Sequence, residues 1–343
     1  SLGTTHLEQL FLKHREVQAR FPQLSYPDIQ AQIQGLGAKI DSLQSAGHSA
    51  PGEDATPPSP PEGKIPEARV FSGVDFPRLF SLQQALINGD ESMLASLEQL
   101  RLETTSPEER LAAIMVEVQF EGDRLNFSRV EELAPRGITL AKAVGHKPSM
   151  AVMQAELARA LTMQLVADDL DTASKVAAGN RVGVPLMSKG EYDHASARLD
   201  GLKQRSEALF DEALANAWNR PNLEASFMVL LLFASSMTQR VFPFKFLREI
   251  GELPKAGERI QFFKDRAERA YEMAISLAVA LQDERYVAMA YSNFANDLVI
   301  FEEFDRAEAH ARRALELGEK LGENELIWRP KRILEVVVRE RAG

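Results

Sequence analysis

Cysteine is absent from the 343 residues. That excludes disulfide frameworks and thiolate metal sites. It also fits a reducing compartment, so a cytoplasmic location is the expectation. Long apolar runs are missing too. The longest, Phe227 to Ala234, is far short of the roughly 20 residues that span a bilayer, and it reads as a buried helix rather than a membrane insertion. Alternation of period two is missing throughout, so no strand is expected. Positive charge is not in surplus. The net charge of -10 makes nucleic acid and acidic membrane poor partners. No signal peptide is visible, and the chain starts at Ser1 rather than Met. It can therefore be a piece of a larger protein.

Recognisable chemistry is scarce as well. The histidines are His6, His14, His48, His146, His194 and His310. None has metal-ligand spacing to another histidine or to a carboxylate in a recognised pattern, so no metal is expected. His310 falls in the polar part of a helical stretch and reads as solvated. No Gly-rich phosphate loop occurs, and no Gly-x-Ser-x-Gly elbow, so no cofactor and no catalytic residue is assigned. The acid pairs Asp168-Asp169, Glu131-Glu132 and Glu302-Glu303 stand at turns and helix starts, where they suit the helix dipole.

What is present is helical. Apolar residues make up 45% and charged residues 26%, which are ordinary values for a folded chain. Residues 5–21 carry Leu7, Leu10, Phe11, Val17 and Phe21 near helical spacing. After Pro22 and Pro27 a weaker face runs to about residue 44. Residues 1–46 are thus either a helical hairpin or a dimerisation arm. Residues 47–68 hold six of the 17 prolines, with glycine, serine and acids between them, and read as a linker. Residues 69–343 form the main domain.

Helix pairs are expected along most of that domain. They fall at 75–88 with 91–102, 106–121 with 128–144, 148–166 with 168–178, and 193–218 with 223–240. Helices at 258–282, 284–301, 304–321 and 325–341 complete the chain. Ser106-Pro107-Glu108-Glu109 is a marked helix start, with serine as cap, proline in the first turn and Glu109 placed to close a capping box. Residues 179–191 read as a loop and residues 241–257 as an irregular connection. The stretch from Met237 through Arg240 to Phe246 is apolar, aromatic and basic. It reads as a lid, as a partner-facing loop or as a connection that buries its own aromatics. The basic end, Trp328 to Arg332 with Arg339 and Arg341, reads as a capping helix with a solvated face.

An internal repeat follows. Asp265-Arg-Ala-Glu lines up with Asp305-Arg-Ala-Glu at a spacing of 40 residues, and Ala274, Leu277 and Leu281 match Ala314, Leu317 and Leu321. Small residues at matching positions let helices cross closely, while a single pair cannot bury its face alone.

Residues 288–317 resemble a tetratricopeptide repeat. Tyr291 precedes Asn293-Phe294-Ala295, Phe304 and Ala307 open the second helix, and Ala314-Leu-Glu-Leu317 closes it. The terminal proline of the family is missing, Ala311 stands where an aromatic is usual, and the spacing is nearer 40 than 34. In these respects the chain resembles long-helix variants. The resemblance implies an all-α fold of antiparallel helix-pair repeats wound into a right-handed superhelix, an α-solenoid, whose first helices line a groove. It implies a non-catalytic interaction module that binds a peptide or protein partner there, with Met289, Ser292, Asn293, Asn296 and Val299 on the ligand face. Arg240 is a further candidate from the aromatic-basic stretch. Two alternatives stay open: the sensor arm of a larger signalling ATPase or transcription regulator, and an enzyme with an unfamiliar helical active site. The oligomeric state is not legible.

Overall fold

The computed structural model describes residues 70–71, 75–87, 90–182, 185–218, 222–249 and 256–342, all within a compact unit that spans Ile65–Gly343. The expected arm at 1–46 and linker at 47–68 lie outside the described residues. Among those residues every regular element is an α-helix. In chain order they are α1 (Pro77–Ile87), α2 (Met93–Glu103), α3 (Pro107–Asp123), α4 (Phe127–Ala143), α5 (Lys147–Val182) and α6 (Lys189–Trp218). There follow α7 (Leu223–Gln239), α8 (Phe242–Glu249), α9 (Ala256–Ala280), α10 (Glu284–Ile300), α11 (Phe304–Leu321) and α12 (Asn324–Ala342).

The helix starts are set by side chains that accept from orphan amides. Ser106 Oγ accepts from Glu109 N at 3.2 Å, with Pro107 in the first turn. The expected return bond from Glu109 does not form. Its carboxylate instead accepts from the Thr104 hydroxyl. A reciprocal capping box forms at Ser188 and Glu191, where each side chain meets the other's amide, at 3.2 and 2.7 Å. Asn222 caps α7 through Ala225 N at 2.8 Å, and Asp283 caps α10 through Arg285 N at 2.9 Å.

The helix ends repeat one device. Leu125, Gly145, Gln282, Glu302 and Gly322 have positive φ, between 55° and 73°. Each donates its amide to the carbonyl three residues back. The amides after Leu125, Gly145, Glu302 and Gly322 reach the carbonyl five residues back, as Asn126 does to Glu121 at 2.9 Å and Glu303 to Leu298 at 2.9 Å. This is the Schellman turn. Within each run the left-handed residues stand 20 apart: 125 and 145, then 282, 302 and 322. One helix plus one turn is therefore 20 residues, and a pair is 40, which is the spacing the internal repeat has in sequence.

Packing follows the chain. α1 lies on α2, α3 on α4, α5 on α6, α7 on α9, and α10 on α11. Each second helix also meets the first helix of the next pair, and α1, α3, α5, α7, α10 and α12 touch in series. Close crossings use small residues. Ala267, Ala274 and Leu277 of α9 are buried, as are Ala307, Ala314 and Leu317 at the equivalent positions of α11. At Gly318 of α11 an added Cβ would stand 2.6 Å from the carbonyl oxygen of Leu326 in α12. Ion pairs link neighbouring helices: Arg129 of α4 meets buried Glu117 of α3 at 2.6 Å, and buried Arg101 of α2 reaches Glu117 at 3.7 Å. α7 has the composition of a membrane-crossing stretch when continued to Glu249. Here its Phe227, Val229 and Leu230 are buried, and α7 packs against α5, α6, α9 and α10.

Two expected elements change. The pair expected at 148–166 and 168–178 is one helix of 36 residues, α5. Neither glycine nor proline stands at the join, so nothing ends the helix there, and α6 runs back along it. The irregular stretch after Val241 contains α8, whose Phe244 stacks on Phe263 at 5.7 Å. It is an insertion between α7 and α9, which still pack directly on each other.

Candidate functional site

A groove of about 340 Å³ opens along the series of first helices. Its lining comes from α1, α3, α5, α7, α10 and α12, with Tyr271 of α9 beneath. The floor is apolar. Met228, Leu231 and Leu232 stand three and four residues apart on α7, so they share one helical face. Val116 and Phe120 of α3 extend that surface on one side and Met289 of α10 on the other.

The polar groups come from the two flanks. On the α5 side Arg159 lies 2.9 Å from Glu156, and both line the groove. Gly122 of α3 makes room for this pair, because an added Cβ there would collide with the Arg159 guanidinium. Glu156 is only 3% exposed. Burial pushes its carboxyl up to about 7, with nearby Arg159 opposing the shift.

On the α10 side Asp297 is equally buried and accepts from the Tyr271 hydroxyl at 2.6 Å. Burial raises its carboxyl to about 6, while hydrogen bonds from Tyr271, Thr238 and Asn296 hold it from rising further. Tyr271 stacks on Phe294 at 4.8 Å. Its own hydroxyl is pushed well above the usual phenol range by burial and by Asp297.

Four of the six residues expected on the ligand face meet in this groove: Met289, Ser292, Asn293 and Asn296. Ser292 is 3% exposed and its hydroxyl has no hydrogen-bond partner. Asn293 accepts from Arg329 of α12 at 2.7 Å and so ties two first helices together. Asn296 is exposed and donates to Asp297 at 3.2 Å. Val299 lies one turn further along, half-buried, and does not line the groove. Arg240 sits elsewhere. It pairs with Glu207 at 3.1 Å, its guanidinium lies 4.6 Å from the centre of the Phe263 ring, and it borders a smaller cavity with Asp169 and Lys203.

His310 is not the solvated residue expected. It is half-buried, with Phe294 at 4.7 Å and Tyr291 at 5.3 Å from its ring. Burial, helped by Arg306, lowers its imidazole to about 4.

Glu156, Arg159 and Asp297 are not among the residues expected from sequence. A trace of the first two is visible there, because Glu156 and Arg159 are a charged pair within the otherwise mostly apolar stretch Ala151 to Leu161. A pair at that spacing within a buried stretch points to a partly desolvated face. Comparison with protein-family models finds no match, and neither does comparison with curated proteins.

Proposed function

We propose that this chain is a tetratricopeptide-like interaction protein, and that a segment of a partner protein lies in the groove of the first helices. The observation that carries the reading is the lining. The first helices of successive pairs, which touch in series, contribute one apolar floor and two polar flanks to a single continuous groove. An apolar floor rewards burial of a partner's side chains, while polar flanks set their register. Asn296 at the rim and the unpartnered Ser292 hydroxyl within can exchange hydrogen bonds with a peptide backbone, which both donates and accepts. On this reading the series of pairs winds as a right-handed solenoid, no step of chemistry is performed, and the second helices serve to space the first.

The reading is tested by selecting binders from a displayed library of random peptides. Their affinities are then measured for the parent chain and for Asn296→Lys. Asn296 is exposed, so the variant should still fold cooperatively, with the loss of its hydrogen bond to Asp297 read from the melting temperature, while a charged side chain at the rim weakens binding by about tenfold or more. Peptides that bind both proteins equally would remove the groove from the account.

A further inference from the structure

Two consecutive main-chain amides ahead of α1 are held by side chains. Val70 N–H donates to Glu224 Oε2 at 3.2 Å, and Phe71 N–H donates to Ser149 Oγ at 3.2 Å. The acceptors belong to different helices, α7 and α5, each in its first turn. Both are themselves fixed. The Tyr286 hydroxyl of α10 donates to Glu224 Oε1 at 2.5 Å, and His146 Nδ1 lies 2.9 Å from Ser149 Oγ. The Phe71 ring stacks on His146 at 3.9 Å with 15° between the planes. Val70 and Phe71 are each only 6% exposed, and Ser149 is fully buried.

A backbone whose successive amides find side-chain acceptors on two helices, with its aromatic ring stacked on the nearby His146, has the arrangement of a peptide in a receptor. Neither residue belongs to a helix or caps one. We propose that His146, Ser149, Glu224 and Tyr286 form a second peptide-binding site. It takes a segment bearing an apolar residue followed by phenylalanine, and Val70–Phe71 fills it in cis.

None of these four residues lines the groove, so the site stands whether or not the groove binds a partner. The occupant is joined to α1 through the residues between Phe71 and Pro77. Such a short tether gives an effective concentration of about millimolar, so a free peptide displaces it only at comparable levels. A partner that presents the same residue pair at high local concentration would exchange with it.

The test uses the full chain with Val70→Ala and Phe71→Ala together, and a labelled peptide of residues 66–73, Pro-Glu-Ala-Arg-Val-Phe-Ser-Gly. The peptide should bind the double variant at least about tenfold more tightly than the parent chain, because the cis competitor is gone. Replacing the peptide's phenylalanine with alanine should abolish binding. So should adding Ser149→Ala and Glu224→Ala to the receptor, which removes both acceptors. Equal binding to parent and double variant, or binding insensitive to the receptor changes, would overturn the proposal, as would no binding to a double variant that melts like the parent. If the double variant melts too low to assay, Phe71→Leu keeps an apolar anchor, loses the ring stack, and is judged by the same comparisons.

Discussion

Asp297 and His310 sit within one structural unit and pull its stability in opposite directions with pH. The Asp297 carboxyl, out of water beneath the groove, titrates at about 6 when folded against an ordinary 3.8. Its folded pKa is raised, so the folded state holds the extra proton between those values. Its contribution is full below the lower one and is lost as pH rises through the higher. Glu156 acts in the same sense up to about 7. His310 does the reverse. Its folded pKa of about 4 lies below the ordinary 6.5, so its contribution is present above 6.5 and is lost as pH falls through 4. Asp297→Asn keeps an oxygen for the Tyr271 hydroxyl and avoids the buried charge. It should therefore stabilise the protein more near neutral pH than in mild acid, by at most about 2–3 kcal/mol. His310→Phe should show the opposite preference. Thermal melts of the parent and both variants across pH decide this, and parallel curves would refute the assignment. Residue identity alone does not reveal these environments. A histidine among Arg306, Glu308, Arg312 and Arg313 looks solvated in sequence. Only the packing of α10 on α11 brings Tyr291 and Phe294 against it.

At the scale of elements, the helices are legible from spacing and caps, and the repeat is legible only in part. Gly145 and Gly322 announce their left-handed turns, because glycine adopts positive φ without a Cβ penalty. Leu125, Gln282 and Glu302 adopt the same conformation at equivalent places, and nothing in their identity says so. The twenty-residue step is therefore written in backbone hydrogen bonds more than in residue types. The join near Val166 shows the converse error. An acid pair at 168–169 resembles a helix start, yet the preceding residues offer no cap and no breaker, and α5 runs through it. At Gly318 the backbones of α11 and α12 approach closely. The Leu326 backbone stands 2.6–2.8 Å from where its Cβ would be. A backbone obstacle cannot swing away as a side chain does. Gly318→Ala should thus destabilise the unit by about 1–3 kcal/mol despite alanine's better helix propensity. A denaturant melt checks this. A neutral or stabilising result would show that α12 is free to shift outward from α11.

For the whole molecule, the proposed function rests on where the first helices put their side chains. Met289, Ser292, Asn293 and Asn296 are legible as a face because helical spacing places them together on α10. The opposite flank, with Glu156 and Arg159, is not. Its position depends on how α5 packs beside α3 and α7, which no local pattern specifies. On α11, exposed charges lie away from the groove lining. Arg312 pairs with Glu308 at 2.6 Å, and Arg341 of α12 also reaches Glu308 at 2.6 Å. That outer face makes a natural control. The most direct measurement replaces Met289, on the groove, or Ala309, exposed on α11, with a photo-reactive amino acid and irradiates each protein with a library-selected peptide. Cross-links are expected from position 289 and none from 309 if the peptide lies in the groove. Cross-links from 309 alone, or equally from both, would contradict it.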